Sequence, residues 1–281
     1  MLRRSLIALA ALAAAVLLVH GAGARPSVTA PTRIVSLSPS ATEDLFAVGA
    51  GKQVIAVDDQ SDYPKQAPRT SLSGYTPNVE AIAGYNPDLV VVSDRGVVPA
   101  LEKLGIKVLV EAAPDNIAQA YEEIRQIGRA TGHTAQATRV VRSMEKQLTA
   151  LIRSVPKASR HLKVYHELDP TYYSATSSTF IGRMYKLFGF QDIADAADTT
   201  HSGYPQLSAE YIVASNPDLV VLADSICCGQ TASTVAARPG WSGISAIRHH
   251  RVIAIDDSIA SRWGPRIVDF ARAVALAARG A

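Results

Sequence analysis

Two Ser-Gly-Tyr triplets place Tyr75 and Tyr204 in loops that each lie a few residues ahead of a predicted helix. A tyrosine in such a loop offers a flat apolar ring for stacking and a hydroxyl for hydrogen bonding. Large planar ligands are held by apolar faces together with a few well-placed polar groups. The sequence therefore predicts that both tyrosines contact a ligand.

Five further candidates follow or end predicted strands. In open α/β sheets, ligands bind outside the carboxyl ends of the strands, which favours ligand contact for all five. The alternatives are structural roles. Tyr63 would then pack over a turn, Arg262 and Trp263 would anchor the last helix, and His166 would be a hydrogen-bonded core residue. The candidates are Tyr63, His166, Asp257, Arg262 and Trp263.

Two acidic residues, Glu80 and Glu210, lie in the first turns of two predicted helices, two residues after the N-cap candidates Asn78 and Ser208. A carboxylate at this position stabilises a helix through the helix dipole. The second interpretation is that each acid is exposed and together they bind arginine clusters on a partner protein. The spacing leaves both interpretations open.

The paired features belong to an internal repeat. Residues 78–94 align without gaps to residues 208–224, with nine of seventeen positions identical at an offset of 130. Both copies contain Asn-Pro-Asp followed by an apolar run, which predicts a turn and a buried strand. A repeated unit of this size predicts two similar lobes.

Predicted strands alternate with predicted helices along both halves, which indicates α/β lobes with mainly parallel sheets and helical cover. We expect an N-terminal lobe at 25–113, a long linking helical segment at 114–158 and a C-terminal lobe at 159–281. One long helix then joins the lobes, and the ligand cleft lies between them. The apolar periodicity of the linking segment breaks at residues 131–133.

The first 24 residues have the layout of a secretory signal peptide. Arg3 and Arg4 precede an apolar run over 6–19, and Ala22-Gly23-Ala24 offers a cleavage site. We expect export to an extracytoplasmic compartment, cleavage after Ala24 and no lipidation, because no cysteine follows the run. The alternative is an uncleaved anchor. Removing the segment leaves 26 Lys+Arg against 25 Asp+Glu, a near-neutral balance that argues against a nucleic-acid partner.

Common catalytic motifs are absent from the sequence, including G-x-G-x-x-G, the Walker loop, H-E-x-x-H and G-x-S-x-G. We expect a binding protein with no cofactor and no metal site. The cysteines, Cys227 and Cys228, are adjacent, so we expect ordinary thiols or a local disulfide rather than a staple between distant segments. An exported enzyme that uses His166, Glu167 or Asp169, and a scaffold protein that keeps only the fold, are the remaining alternatives.

Several motifs together resemble the helical-backbone periplasmic binding proteins, which serve ABC importers for cobalamin, ferric siderophores and haem. The resemblance covers nearly the whole chain after the signal peptide. It rests on Arg33-Ile-Val-Ser-Leu-Ser-Pro39, Ser61-Asp-Tyr-Pro64, the paired Asn-Pro-Asp-Leu-Val-Val strands, Arg238-Pro-Gly-Trp241 and Ser261-Arg-Trp-Gly-Pro-Arg266.

The pattern is most similar to the cobalamin-binding members, in which aromatic residues of both lobes enclose a corrinoid. This resemblance implies that Tyr63, Tyr75, Tyr204 and Arg262 contact the ligand. It also implies that Glu80 and Glu210 dock on the permease of the importer, and that the protein acts as a monomer without changing its ligand. Tyrosine replaces tryptophan in both matching loops, and tyrosine also binds ferric and haem iron, so a ferric siderophore or haem is the alternative ligand.

Overall fold

The computed structural model describes residues 30–280, so the predicted signal peptide lies outside the described residues. The described chain contains two four-stranded sheets, in which every recorded strand pairing is parallel. The N-terminal sheet has the order β2-β1-β3-β4 and the C-terminal sheet the order β6-β5-β7-β8. The strands are β1 (Ile34–Leu37), β2 (Val54–Val57), β3 (Leu89–Val92), β4 (Lys107–Val110), β5 (Lys163–Glu167), β6 (Gln191–Asp192), β7 (Leu219–Leu222) and β8 (Val252–Ala254).

The central strands of both sheets are buried along their whole length apart from Lys163. Parallel strands need crossover connections, and the helices that make them cover both faces of the sheet. This explains why the predicted strands are continuous apolar runs. The helices are α1 (Pro39–Ala47), α2 (Val79–Ala83), α3 (Val98–Lys103), α4 (Ile117–Thr131), α5 (Thr134–Ser154), α6 (Phe180–Phe188), α7 (Ala209–Ser215), α8 (Ser225–Cys228), α9 (Ala232–Ala236), α10 (Ser245–Arg248), α11 (Asp257–Ser261) and α12 (Ile267–Arg279).

The linking segment contains two helices, α4 and α5, separated at the break that the sequence predicts. Gly132 adopts a left-handed conformation with φ of +82° and ends α4. A side chain at Gly128 would come within 2.4 Å of Ala137, so this glycine lets the two helices approach closely. Helix α5 packs on α4 on one side and on α12 on the other. The single long helix between the lobes is therefore α5, which is 21 residues long and spans about 32 Å.

The internal repeat is also a repeat of hydrogen bonds. The carboxylate of Asp88 accepts from the backbone N–H of Arg33, and the carboxylate of Asp218 accepts from that of Lys163, 130 residues later. The side chain of Arg33 also donates to the carbonyl of Tyr85, just after the helix that precedes β3. The side chain of Lys163 donates to the carbonyl of Ser215, at the end of the helix that precedes β7. These contacts fix the start of β1 against β3 and the start of β5 against β7 in the same way.

The predicted fold class is confirmed, because the structure has two α/β lobes with parallel sheets. Each lobe has an apolar core of its own, and a third apolar core is shared by both lobes. One apolar cluster joins α4, α5 and α12 to both sheets, and each lobe has a smaller cluster on its other face. Strand β6 and helices α8 to α11 were not predicted from the sequence. Among residues 30–280, no helix combines the length and apolar character that a membrane span requires.

Candidate ligand-binding site

The carboxyl ends of the N-terminal strands surround an open recess of about 370 Å³. Leu37 and Val92 form apolar walls, while Asp58 and Asp94 add carboxylates. Tyr75 lies at the edge, with 94% of its surface exposed. Its backbone N–H donates to Oγ of Ser73 at 3.2 Å, which fixes the turn that carries it. The recess thus presents an aromatic ring beside apolar walls.

The C-terminal lobe carries Tyr204 on the equivalent turn. The backbone N–H of Tyr204 donates to Oγ of Ser202 at 3.1 Å, as in the first lobe. Gly203 precedes it with φ of +81°, a conformation that a side chain would strain. Tyr204 is 48% exposed. The structure therefore leaves both predicted tyrosines accessible at matching positions.

A charged cluster lies at the carboxyl end of β5 in the C-terminal lobe. Both terminal nitrogens of Arg238 donate to the carboxylate of Glu167, at 2.6 and 2.7 Å. The same guanidinium donates to Gln230 at 2.8 Å and lies over the rings of Tyr172 and Trp241. Glu167 has no exposed surface. A bidentate pair in this setting has a fixed geometry and costs considerable free energy to break.

Asp224 lies beside this pair at the carboxyl end of β7. Its side chain is fully buried, and neither carboxylate oxygen has a hydrogen-bond donor. Burial and the neighbouring charge of Glu167 together raise the pKa of Asp224 to about 7, against a smaller opposing effect of Arg238. The Asp224 carboxyl therefore changes its charge near neutral pH, beside the ion pair.

A second charged cluster joins the two lobes. Glu43 on α1 accepts from Arg266 at 2.6 and 3.0 Å and from Arg262 at 3.3 Å. Arg262 also donates to Asp62 at 2.7 Å and to the carbonyl of Gln60 at 2.9 Å. The arginines follow β8 and α11, whereas their partners belong to the N-terminal lobe. The carboxyl-terminal edges of the two sheets consequently meet at this joint.

Three more acids lie at the joint beside Trp263, on α1, α4 and the end of β4. Glu123 lies beside Trp263, and the backbone N–H of Trp263 donates to Oγ of Ser40 at 3.4 Å. Burial raises the pKa of Glu123 to about 7 and that of Glu111 to about 8, and it raises the pKa of Asp44 as well. The joint thus holds carboxyl groups that change charge near neutral pH.

The predicted role of His166 in ligand binding is corrected by the structure. This side chain is completely buried inside the C-terminal lobe, and Nδ1 lies 2.6 Å from the hydroxyl of Tyr185. Burial lowers its pKa to about 3, so the imidazole is neutral. His166 is a core residue, which is the structural alternative that the sequence left open.

Asp257 and Arg262 also have protein partners where ligand contact was predicted. The carboxylate of Asp257 accepts from the backbone N–H groups of Ile226 and Cys227, at 3.1 and 2.9 Å, and holds the first turn of α8. The guanidinium of Arg262 is engaged with three residues of the N-terminal lobe, as described above. Their donors and acceptors bond within the protein, and ligand contact by either side chain stays a prediction.

Tyr63 and Trp263 lie at the joint as well. The guanidinium of Arg266 lies over the ring of Tyr63, 4.2 Å from its centre, and the tyrosine remains 44% exposed. Trp263 is half-buried. Both side chains therefore line the joint beside the cleft, whereas Tyr75 and Tyr204 have no aromatic or cation–π partner among residues 30–280.

The two repeated acids are exposed on equivalent helices. Asn78 caps α2 and Ser208 caps α7 by accepting from the third backbone N–H, and Glu80 and Glu210 follow two residues later. Neither acid forms an ion pair within residues 30–280. Their carboxylates are thus available to a partner at matching positions of the two lobes.

The site offers little support for chemistry. His166 and Glu167, two of the three candidates for an enzyme, have no exposed surface. The carboxylate of the third, Asp169, accepts from the backbone N–H and the hydroxyl of Thr171. No group of three metal-ligating side chains occurs in the part of the chain that the structure describes. Arg238, Glu43 and Asp224 were missed by sequence reasoning, because their partners are distant in sequence. The Arg238-Pro-Gly-Trp241 motif was the available signal, since it places the arginine that stacks on Trp241.

Comparison with known proteins agrees with this architecture. The family model for periplasmic binding protein matches residues 34–259. An uncharacterised ABC transporter substrate-binding lipoprotein of Bacillus subtilis, YvrC, is 33% identical over 250 residues, which are 85% of this chain and 77% of the relative. A cobalamin-binding protein of Halobacterium salinarum is also 33% identical, over 85% of this chain and 67% of its own length. Among solved structures, the periplasmic haem-binding protein HutB of Vibrio cholerae shares the fold with a TM-score of 0.76 and 24% identity, covering 87% of this chain and 98% of the other.

Proposed function

The chain belongs to the periplasmic binding protein family and is the substrate-binding protein of an ABC importer; from this premise we propose that it captures a corrinoid between its lobes and delivers it to the permease. The observation that carries the proposal is the pair of exposed tyrosines on matching turns, Tyr75 and Tyr204, at the carboxyl edges of the two sheets. A flat ligand enclosed by two such rings buries apolar surface on both faces.

The charges at this edge favour a neutral macrocycle over an anionic chelate. Arg238, Arg262 and Arg266 each pair with a buried glutamate, so none of the three is free to neutralise a siderophore. The relative from Halobacterium salinarum carries the name cobalamin-binding protein over a 33% identical alignment. Both observations support a corrinoid as the ligand.

Haem is the second candidate, and a specific observation favours it. A tyrosine oxygen is a known axial ligand of haem iron, and the hydroxyl of Tyr75 is carried by the most exposed large hydrophobic side chain of the described residues. A haem ligand would depend on that oxygen, whereas a corrinoid would depend on the ring. The two candidates therefore make different demands on the same residue.

Calorimetric titration of the purified exported chain tests the choice of ligand. Cyanocobalamin, haemin and a ferric siderophore are titrated separately, with Leu276→Ala, on the exposed back of α12, as the matched control variant. We expect one cyanocobalamin per chain, with affinity weakened about thirtyfold in the Tyr75→Ala/Tyr204→Ala double variant and kept in the control. Binding of haemin or the siderophore alone would overturn the corrinoid proposal.

For delivery, we propose that Glu80 and Glu210 bind arginine clusters on the permease. Two exposed carboxylates at equivalent positions suit a partner that engages both lobes at once. In a reconstituted importer, the Glu80→Ala/Glu210→Ala variant should lose transport while keeping its affinity for the ligand. The control is Glu102→Ala on α3, which carries another exposed acid. Unchanged transport in the double variant would contradict this role.

We further propose that the mature protein is extracytoplasmic, cleaved after Ala24, not lipidated and monomeric. The support is the signal layout and the absence of a cysteine after its apolar run. The Bacillus subtilis relative is a lipoprotein, so the N-terminus needs a direct test. Intact mass of the protein from its host should match a chain that begins at residue 25, and light scattering should give the mass of one chain. An added lipid mass or a dimer would contradict the corresponding part.

A further inference from the structure

Two adjacent thiols lie on an exposed turn at the carboxyl end of β7. Cys227 and Cys228 are both free and exposed, and they are adjacent in the chain. They belong to α8, a helix of only four residues that ends at Gly229. We propose that this pair is a redox-responsive modification site, which closes to a vicinal disulfide and thereby alters the C-terminal half of the ligand cleft. The effect on the cleft rests on the proposed function, whereas the oxidation does not.

The oxidant is a disulfide, small or protein-borne, of the kind found outside the cytoplasm. One cysteine thiolate attacks the disulfide, forms a mixed disulfide and releases the first thiol. The second cysteine then attacks its neighbour, closes the S–S bond and releases the second thiol. The protein loses two protons and two electrons, equal to two hydrogen atoms, and the oxidant gains them as its two thiols form.

The structure assigns the first attack to Cys228. The carboxylate of Asp257 accepts from the backbone N–H of Cys227 at 2.9 Å, which places its charge near the Cys227 thiol. The neighbouring Cys228 and this carboxylate raise the pKa of Cys227 to about 12. A thiol held in its neutral form is a poor nucleophile, because the thiolate is the reactive species. Cys227 should therefore act second, when Cys228 already carries the leaving group.

Ring closure must reshape this turn. Successive side chains of a helix point about 100° apart, so bonding two of them changes the backbone between them. A single helical turn is only marginally stable by itself, so the cost of the change is small. The bonds most directly at risk are those from the backbone of Ile226 and Cys227 to Asp257, and that from Cys228 to the carbonyl of Asp224.

The altered turn is connected to the charged cluster around Arg238. Gln230 follows the thiols by two residues, and its side-chain oxygen accepts from Arg238 at 2.8 Å. Its backbone N–H donates to the carbonyl of Asp224 at 3.4 Å. A shift of Gln230 removes one acceptor from Arg238 beside the cleft. The equivalent residues of the N-terminal lobe, 95–98, contain no cysteine.

Intact mass of the exported chain in buffers of oxidised and reduced glutathione tests the first half of the proposal. We expect the loss of two hydrogens, with both thiols becoming unreactive to a maleimide together. Cys227→Ser should accumulate a stable glutathione adduct at Cys228, and Cys228→Ser should form its adduct more slowly. Persistent glutathione adducts on the unaltered chain, disulfide-linked dimers or equal rates in the two variants would overturn it.

Calorimetry with cyanocobalamin on the oxidised and reduced chain tests the second half. We expect the oxidised chain to bind about threefold more weakly, the effect of one lost hydrogen bond near the ligand. The Cys227→Ser/Cys228→Ser variant should show no redox dependence. Equal affinities in both states would overturn the link to the cleft. Because the mass measurement uses no ligand, failure of the corrinoid proposal leaves the oxidation result standing.

Discussion

The two lobes repeat one scaffold but differ in the side chains at the carboxyl ends of their strands. In the N-terminal lobe, Leu37 and Asp94 line an open recess beside Tyr75. At the positions 130 residues later, Glu167 and Asp224 are buried, with Glu167 paired to Arg238. Backbone contacts at the starts of the strands and at the tyrosine turns recur in both lobes. The side chains at the strand ends have diverged, so each lobe offers a different surface to the ligand.

This difference indicates a division of labour. The open N-terminal recess can accept an apolar or aromatic group of the ligand. The C-terminal side is rigid, because the guanidinium of Arg238 is held by the side chains of Glu167, Gln230, Tyr172 and Trp241. A bound ligand would therefore rest against a fixed C-terminal surface. Any rearrangement of side chains on binding would occur in the N-terminal recess.

Removing a buried glutamate should have the largest effect. Glu167→Ala leaves Arg238 without its carboxylate, and Glu43→Ala does the same to Arg262 and Arg266 at the joint. We expect each change to lower the free energy of unfolding by about 3–5 kcal/mol, measured in urea. Only Glu43→Ala should separate the unfolding of the lobes into two transitions.

The control for these variants is Asp62→Ala, which removes the exposed partner of Arg262. Exposed ion pairs contribute little, so we expect a loss below about 1 kcal/mol. A loss of similar size for Asp62 and Glu43 would mean that the joint does not depend on its buried carboxylate.

The pH dependence of stability should be next in size. The pKa of Asp224 is raised to about 7 and that of Glu111 to about 8, so the folded state holds protons that the unfolded state releases near pH 4. Stability from these groups is therefore complete below pH 4 and is lost as pH rises through 7 to 8. Between pH 5 and pH 7 we expect the contribution of Asp224 to fall by about 2 kcal/mol.

Urea unfolding from pH 5 to pH 9 measures this effect. Amide variants separate the contribution of the carboxyl group in one lobe from that in the other. Asp224→Asn should flatten the profile below pH 7, and Glu111→Gln should flatten it up to pH 8. A profile that is unchanged in both variants would show that these carboxyl groups are not the source.

Ligand affinity should distinguish the two tyrosines. Tyr75 is more exposed than Tyr204 and lines the recess, so Tyr75→Ala should weaken cyanocobalamin binding about tenfold and Tyr204→Ala about threefold. Tyr75→Phe keeps the ring and should bind nearly as well as the unaltered chain. A large loss for Tyr75→Phe would instead indicate that the ligand needs the hydroxyl, as an iron centre would.

The helix caps should show the smallest and most equal effects. Asn78→Ala removes the cap of α2 and Ser208→Ala that of α7, and each should cost about 1 kcal/mol in urea unfolding. Equal losses would confirm that the scaffold is equivalent in both lobes. Losses that differ by more than about 1 kcal/mol would show that the repeat is less symmetric than its hydrogen bonds indicate.

The sequence was sufficient to predict the fold because the fold depends on local patterns that occur twice. Asn-Pro-Asp turns, apolar strands and capped helices at a fixed offset are visible without coordinates. The short strand β6 and the one-turn helices α8 to α11 carry too few residues for a periodic pattern, so they were missed.

Within the predicted site, the exposure of a side chain could be anticipated only where the repeat marked the residue. Tyr75 and Tyr204 lie on equivalent turns, and both are exposed. Arg262, Asp257 and His166 were assigned from their position near strand ends, but each is bonded to residues that sequence spacing does not bring together. The partner Asp62 lies 200 positions from Arg262, for example. Proximity to a strand end locates a side chain without revealing whether its polar atoms are already used.

The central claim concerns the ligand that the protein carries in its host, and native mass spectrometry tests it most directly. The protein is purified from the extracytoplasmic fraction without added ligand, and its absorbance spectrum is recorded before the mass. We predict a bound species with the mass of one corrinoid per chain and the absorption bands of a cobalt corrin. A chain that carries iron porphyrin or a ferric chelate, with no cobalt, would contradict the account.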